Sequence, residues 1–170
     1  MTEHQHGKGT SFVRRIYLPR IIGLGIGLFS VWAALGSVSV APWVWVLLFI
    51  NGLAWPHIAY RIALRSRTPY DAERRNLLVD SLMGGFWAAT MQFNPLPSIT
   101  TLSMMTMNNV AAGGKRLLIR GALAQVLGVG VAGLLLGLHF DPSVSQIQVY
   151  ACLPMLMLYP MAIGMVCYQL

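Results

Sequence analysis

Long apolar runs alternate with short polar segments along the whole chain of 170 residues. A helix needs about 20 mostly apolar residues to cross the hydrocarbon core of a bilayer. Six runs meet or approach that length, near residues 20–39, 42–61, 76–93, 96–113, 117–138 and 146–168. The run GALAQVLGVGVAGLLLGL is apolar on every face, whereas a membrane β-strand would alternate over roughly ten residues. The pattern predicts an all-α polytopic membrane protein, a bundle of six transmembrane helices.

Composition agrees with a membrane environment, since 56% of the residues are hydrophobic and only 10% are charged. The first apolar run is longer than the apolar region of a signal peptide, and it follows about 20 polar and basic residues. We therefore expect it to remain in the membrane. Residues 1–11, MTEHQHGKGTS, are polar and predict a disordered cytoplasmic tail, which leaves residues 12–170 as one membrane domain.

Lysine and arginine are confined to the chain start and to two of the segments between apolar runs. They are Lys8, Arg14, Arg15, Arg20, Arg61, Arg65, Arg67, Arg74, Arg75, Lys115, Arg116 and Arg120. The alternate segments GSVSVA, FNPLPS and HFDPSVS contain none. Because basic segments stay on the cytoplasmic side, both termini are predicted to be cytoplasmic in a multi-pass protein of the bacterial inner membrane. The net charge of +7 then reflects topology and contact with anionic headgroups rather than nucleic-acid binding.

Two pairs of glycines occur at the spacing that lets membrane helices approach closely. Gly23 and Gly27 lie in the first apolar run, and Gly133 and Gly137 lie in the fifth. Small residues four apart remove side-chain bulk from one helix face. Both pairs are therefore predicted to be helix-packing contacts, within one chain or between chains.

The segment from Trp55 to Asp80 carries ionisable residues between two apolar runs. His57 lies one turn before Arg61, and Asp80 follows Arg75 by about one and a half turns. Asn76 falls on the same helical face as Asp80. Asn108 and Asn109 precede Lys115 by about two turns on another helix. These positions predict a polar layer across three helices near the cytoplasmic boundary.

Asp80 is the main candidate for function in this layer, because a carboxylate at such depth is costly unless other groups meet it. Paired with His57, it would form a pH-sensitive or ligand-coupled switch. Alternatively, Asp80 is solvated at the interface or positions the third helix beside Arg74 and Arg75. No metal-ligand or catalytic spacing is visible, so we expect this chain to have no enzymatic activity, catalytic residue, metal or cofactor.

Several spaced segments together resemble a known family. They are YLPRIIGL (17–24), WPHIAY (55–60), ERRNLLVD (73–80), FNPLPS (93–98), MNNVAAGG (107–114) and YPMAIGMVCYQL (159–170). This set is similar to the second type of membrane-associated sensor (MASE) domain of bacterial signalling enzymes, over nearly all of residues 12–170. The resemblance implies a six-helix module ahead of a cytoplasmic nucleotide cyclase, either a diguanylate cyclase or a class III adenylate cyclase. The chain ends at Leu170 without a GG[DE]EF-type sequence or metal-binding aspartates, so the output domain is expected elsewhere in the natural protein.

The resemblance implies a sensory, anchoring and dimerising role in cAMP or cyclic di-GMP signal transduction. Both cyclase classes build their active sites from two catalytic domains, so a parallel homodimer is expected. Its other partners would be the bilayer and an unidentified small-molecule or lipid ligand. Within this interpretation His57, Tyr60 and Arg61 would line a polar pocket with Asp80 and Asn108. Arg20 and the 61–75 segment would lie at the cytoplasmic surface, in contact with headgroups or the output domain.

A small proton-coupled transporter or channel subunit is the competing class. In that case Asp80 and His57 would relay protons. The polar residues lie near one boundary, however, and the two halves of the chain show no inverted repeat. A purely structural anchor is a third possibility, in which changes in the polar layer would leave the output unaltered.

Overall fold

The computed structural model describes the backbone of residues 3–169 and the side chains of residues 7–165. Over that range the chain is helical, with no strand. We number five helices: α1 Glu3–Leu35, α2 Pro42–Arg65, α3 Pro69–Thr90, α4 Pro95–Leu136 and α5 Gln146–Gln169. The predicted all-α class is confirmed.

Helix α1 begins at Glu3, whereas the sequence predicts a disordered tail over residues 1–11 and a helix from residue 20. Its first turns are supported by packing, because Phe12 and Ile16, four residues apart, share a buried cluster with Leu77 and Leu117. The ring of Phe12 also lies 4.8 Å from that of Tyr70. Hydropathy reports contact with lipid, so it misses a helix start that is stabilised by contact with α3 and α4.

Helix α2 contains a π-helical turn, Ile50–Ala54, directly before Pro56. Proline removes an amide donor and its ring clashes with the carbonyl of the fourth preceding residue, here Gly52. A wider turn at this point accommodates the ring without ending the helix. A side-chain carbon at Gly52 would lie 2.9 Å from Cβ of Leu28, so this turn also packs closely on α1.

Helix α4 is hydrogen-bonded as one element of 42 residues, but Gly114 has non-helical dihedral angles, φ +57° and ψ −151°. Across this point Gln125 Nε2 donates a hydrogen bond to the Leu102 carbonyl at 3.2 Å. In a straight helix these residues, 23 apart, would be separated by about 34 Å along the axis. The chain therefore reverses at Gly114, and we call the two antiparallel parts α4a (residues 95–113) and α4b (residues 115–136).

The count of six separate helices is not supported, since the structure has five helical elements. Four of them contain stretches long and apolar enough to cross a membrane: Gly7–Leu35, Pro42–Arg65, Pro95–Leu136 and Gln146–Met165. Helix α3 is not among these candidate spans because charged residues occupy its first three turns. The number of crossings consequently depends on how α3 and the two parts of α4 are counted.

At one end of the bundle the turns 36–41, 91–94 and 137–145 meet, and we call it the non-basic end. The amide of Asp141 donates to the Gln92 carbonyl at 2.8 Å. Asn94 Nδ2 donates to the carbonyl of Ser143. The rings of Phe93 and Phe140 stack with centroids 4.6 Å apart. These contacts hold together the segments that lack lysine and arginine.

The opposite, basic end brings together the start of α1, the turn between α2 and α3, and the reversal at Gly114. The Tyr70 hydroxyl donates to the Ala112 carbonyl at 3.2 Å. A side-chain carbon at Gly9 would lie 3.4 Å from Cβ of Pro69. The three basic segments predicted to share one side therefore lie at one end of the bundle.

The predicted glycine contacts have different outcomes in the two halves of the chain. A side-chain carbon at Gly23 would lie 2.5 Å from the ring of Tyr159, and one at Gly27 would lie 3.8 Å from Met104. This face therefore packs within the chain, against α5 and α4a. Gly133 is instead covered by Leu138, and Gly137 ends α4 with φ +80°, so that pair forms no helix contact in the described part of the chain.

Candidate functional site

Three charged side chains are buried together where α1 meets α3. Arg20 Nη1 lies 2.6 Å from Glu73 Oε1, and Arg20 Nε donates to Asp80 Oδ2 at 3.0 Å. The exposed fractions of the Arg20, Glu73 and Asp80 side chains are 2%, 0% and 2%. We call these three residues the buried charge cluster.

The helical repeat explains why one arginine reaches both carboxyl groups. Glu73 and Asp80 are seven residues apart on α3, so both point from the same face two turns apart. Asn76 lies between them on that face. Its Nδ2 donates to the Ala59 carbonyl of α2 at 2.9 Å and to Glu73 Oε2 at 3.4 Å.

Helix α2 also contributes a side chain to the cluster. Trp55 Nε1 donates to Asp80 Oδ1 at 2.6 Å, from the first residue after the π-helical turn. Asp80 thus has a different donor on each oxygen, one from α1 and one from α2. The cluster is a polar joint between three helices.

Removing charges from water is expensive, and the attraction between partners offsets that cost only when both are present. Here one guanidinium serves two carboxyl groups, so the cluster is formally −1 when both are ionised. Arg20 Nη2 is also buried without a hydrogen-bond partner. An arrangement of this kind is sensitive to the loss of any member, because the remaining charges would stay buried without compensation.

Helix α5 contacts the same region through Tyr159. This residue is 2% exposed, its ring covers Gly23 of α1, and its hydroxyl is buried without a hydrogen-bond partner among the described residues. Gly23 lies three residues after Arg20 on α1, so Tyr159 packs about one turn from the buried charge cluster. Tyr159 therefore links the last helix of the chain to the buried charge cluster.

A second polar contact connects α3 to α4a. Asn109 Nδ2 donates to Ser81 Oγ at 2.7 Å, and Ser81 Oγ donates to the Leu77 carbonyl at 2.9 Å. Asn109 also packs against Gly121 of α4b, where no side chain intervenes. Of the predicted layer, Asp80, Asn76 and Asn109 thus connect α1, α2, α3 and α4, while Asn108 is half-buried on α4a.

The predicted pairing of His57 with Asp80 is wrong. His57 is exposed, and its Nδ1 is hydrogen-bonded to the Tyr17 hydroxyl at 2.7 Å. Residues two apart on a helix point about 200° apart, so a helix that directs Trp55 at Asp80 directs His57 away from it. The ring of Tyr60 stacks on Tyr17 at 4.0 Å, and Arg61 is exposed. His57, Tyr60 and Arg61 therefore do not line a pocket with Asp80.

The sequence analysis did not assign three members of this site: Arg20, Glu73 and Trp55. Arg20 was expected at the cytoplasmic surface because it precedes an apolar run, but only 3% of the residue is exposed. The sequence spacing of Glu73, Asn76 and Asp80 indicates this site, because it places three polar groups on one face of α3. Carboxyl groups on a buried helix face are stabilised by a group of opposite charge on a neighbouring helix, and Arg20 supplies it here.

Residues 15–103 match the family model of the MASE2 domain, a range that includes the whole buried charge cluster. The chain is 37% identical over 169 residues to the probable diguanylate cyclase DgcC of Escherichia coli strain K12, and equally to that of strain O6:H1 CFT073. Each alignment covers 98% of this chain and 45% of the relative, so the chain spans about half the length of these curated relatives. No solved structure matches the chain.

Proposed function

Because this chain belongs to the MASE2 family, we propose that it is the membrane sensor and anchor of a longer diguanylate cyclase, whose cytoplasmic catalytic domain it regulates. The observation that carries the proposal is the 37% identity over 98% of this chain to a probable diguanylate cyclase. That relative is more than twice as long, which leaves room for an output domain. The adenylate cyclase output, allowed by the resemblance alone, has no such support.

The proposed topology has six membrane crossings with both termini in the cytoplasm. The reversal at Gly114 supports counting α4a and α4b separately, and in this topology α3 crosses with Glu73 and Asp80 turned toward Arg20. The basic end of the bundle would face the cytoplasm, because segments rich in lysine and arginine are retained there. This orientation places the end of α5 on the side where a cyclase domain needs its substrate.

In the proposed mechanism, the buried charge cluster couples helix packing to α5. A signal that changes the charge or partner of Glu73 or Asp80 would shift the contact with Tyr159 and so move α5. The size of this shift is set by how much more tightly the signal binds one helix arrangement than the other. A parallel homodimer would bring two catalytic domains together, and movement of α5 in both subunits would change how they meet.

The test restores the natural catalytic domain behind residue 170 and measures cyclic di-GMP formation in membranes. We compare the parent with Asp80→Asn, which removes the charge that Arg20 and Trp55 meet, and with His57→Ala. Asp141→Asn serves as the matched control because it makes the same chemical change in a turn outside the helices. Expression and dimerisation are measured in parallel by quantitative blotting and cross-linking.

We expect Asp80→Asn to change the output per dimer at least severalfold, while Asp141→Asn and His57→Ala leave it near the parent value. Equal output from all four proteins at equal expression would contradict a regulatory role for the cluster. If cyclic di-GMP formation changed only in proportion to the amount of dimer, this domain would act as an anchor and not as a regulator.

A further inference from the structure

A cavity of about 180 Å³ lies at the basic end, between the start of α3 and the start of α4b. It is lined by Asp71, Arg74, Arg75, Leu78, Leu117 and Arg120. Three guanidinium groups and one carboxylate give it a formal charge of +2. This cavity is separate from the buried charge cluster, which faces α1 and α2.

The arginines of this cavity have no anionic partner among the described residues. The ion pairs found there both involve Arg20, so none of Arg74, Arg75 and Arg120 is paired with a carboxylate. Arg74 Nε is buried and has no hydrogen-bond partner. The guanidinium of Arg74 lies over the ring of Tyr70, 5.5 Å from its centroid. A buried donor that lacks an acceptor is costly, and an anion that the Arg74 side chain reaches from the cavity lining would lower that cost.

We propose that this cavity binds the phosphate group of an anionic phospholipid at the inner surface of the membrane. Arginine is suited to phosphate because its planar guanidinium donates several hydrogen bonds in a fixed geometry. Basic pockets between membrane helices on the cytoplasmic side are typical sites for anionic headgroups. The cavity is smaller than the roughly 300 Å³ at which pockets for drug-sized ligands begin. It accommodates a phosphate with part of its glycerol rather than a nucleotide.

The apolar part of the lining favours a lipid over a phosphate from solution. Leu78 lies beside the arginines and is half-buried, whereas Leu117 is 1% exposed and already packed in the cluster around Phe12. A lipid presents its charge and its hydrocarbon at adjacent positions, and Leu78 offers an apolar contact next to the arginines. Arg74 directly follows Glu73 on α3, so a bound headgroup would touch the helical turn that carries the buried charge cluster.

The test uses the full 170-residue chain in detergent and native mass spectrometry with defined lipids. Phosphatidylglycerol is titrated against phosphatidylcholine, and sn-glycerol 3-phosphate is titrated separately as a soluble source of the same phosphate. The variant Arg75→Gln/Arg120→Gln removes two charges from the cavity. The matched control Arg65→Gln/Arg67→Gln removes two charges from exposed positions at the same end of the bundle, outside the cavity.

We expect the parent and the control to bind phosphatidylglycerol in preference to phosphatidylcholine, and the cavity variant to lose about tenfold or more in affinity. Arg75→Lys/Arg120→Lys should retain part of this binding, because it keeps the charge. Binding of sn-glycerol 3-phosphate that depends on Arg75 and Arg120, without a preference for phosphatidylglycerol, would keep the phosphate site but overturn its assignment to lipid. Equal loss in the cavity variant and the control would show only general attraction and overturn the site. Unfolding temperatures measured without lipid separate a loss of binding from a loss of fold.

Discussion

Replacing Arg20 with methionine would leave Glu73 and Asp80 buried without their cation. Methionine replaces the apolar stem of the arginine side chain but lacks the guanidinium group, so the substitution removes the charge while keeping most of the apolar packing. The side chains of Glu73 and Asp80 are 0% and 2% exposed, so water does not replace the lost partner.

The expected loss is large for a single substitution. Removing one member of a buried ion pair typically destabilises a protein by about 3–5 kcal/mol, because the remaining charge stays buried without compensation. For a domain of 150–250 residues, each kcal/mol corresponds to a shift of roughly 2–4 °C in the midpoint of thermal unfolding. Arg20→Met should therefore lower the midpoint by roughly 6–20 °C.

The assay is thermal unfolding in detergent, followed by tryptophan fluorescence, to which Trp55 beside Asp80 contributes directly. The control is Arg14→Met, the same change at an exposed position of α1, where we expect a shift of about 2 °C or less. The triple variant Arg20→Met/Glu73→Gln/Asp80→Asn removes all the charges and should recover most of the lost stability. If Arg20→Met unfolds within about 2 °C of Arg14→Met, the cluster does not hold the helices together and the reasoning is refuted.

Further expectations concern the backbone and the turns. A side-chain carbon at Gly85 would overlap the backbone carbonyl of Gln125, so Gly85→Ala should cost about 1–3 kcal/mol in the free energy of unfolding. The control is Gly130→Ala, which should not destabilise the protein because a side-chain carbon there meets nothing within 4 Å. Gly114→Ala should cost about 1–3 kcal/mol because φ +57° with ψ −151° is accessible almost only to glycine; an unchanged unfolding midpoint would argue against the reversal. Hydrogen bonds from Ser143 lower the pKa of Asp141 below its usual range, so the stabilisation of this turn should persist at neutral pH and be lost only as pH falls through that lowered pKa. A side-chain carboxyl NMR titration measures this, and a pKa at or above the usual value would contradict it.

Much of the fold is encoded in the apolar pattern, because helix length in a membrane is set by hydrocarbon thickness. The predicted fourth helix, 96–113, agrees closely with α4a, and the predicted sixth, 146–168, agrees with α5. The start of α1 was missed because Phe12 and Ile16 extend the helix by packing on α3 and α4 rather than by contact with lipid. Hydropathy alone carries no information about that contact.

The structure brings Asp80, Asn76 and Asn109 of the predicted layer into contacts between neighbouring helices, but their partners differ from the predicted ones. The number of helical turns between a residue and the nearest basic segment predicts its depth in the membrane. This count placed Asp80, Asn76 and Asn109 in one layer. Pairing depends on how each helix is rotated about its axis, and a single sequence does not specify that rotation. The π-helical turn before Pro56 and the direction of α1 decide that Trp55 and Arg20, rather than His57, reach Asp80.

The hydrogen bonds between the turns at the non-basic end also hold the first turn of α5 in place. Asn94 Nδ2 donates to Gln148 Oε1 at 3.1 Å, so the first turn of α5 is tied to the turn before α4a. A helix of 24 residues is about 36 Å long. Pivoting about this fixed point by roughly 10° would displace the far end by about 6 Å, while the region around Tyr159 moves by only part of that distance. If α5 moves as proposed, a small rearrangement near the charged residues would therefore produce a larger displacement at the end of the helix, where the catalytic domain would follow.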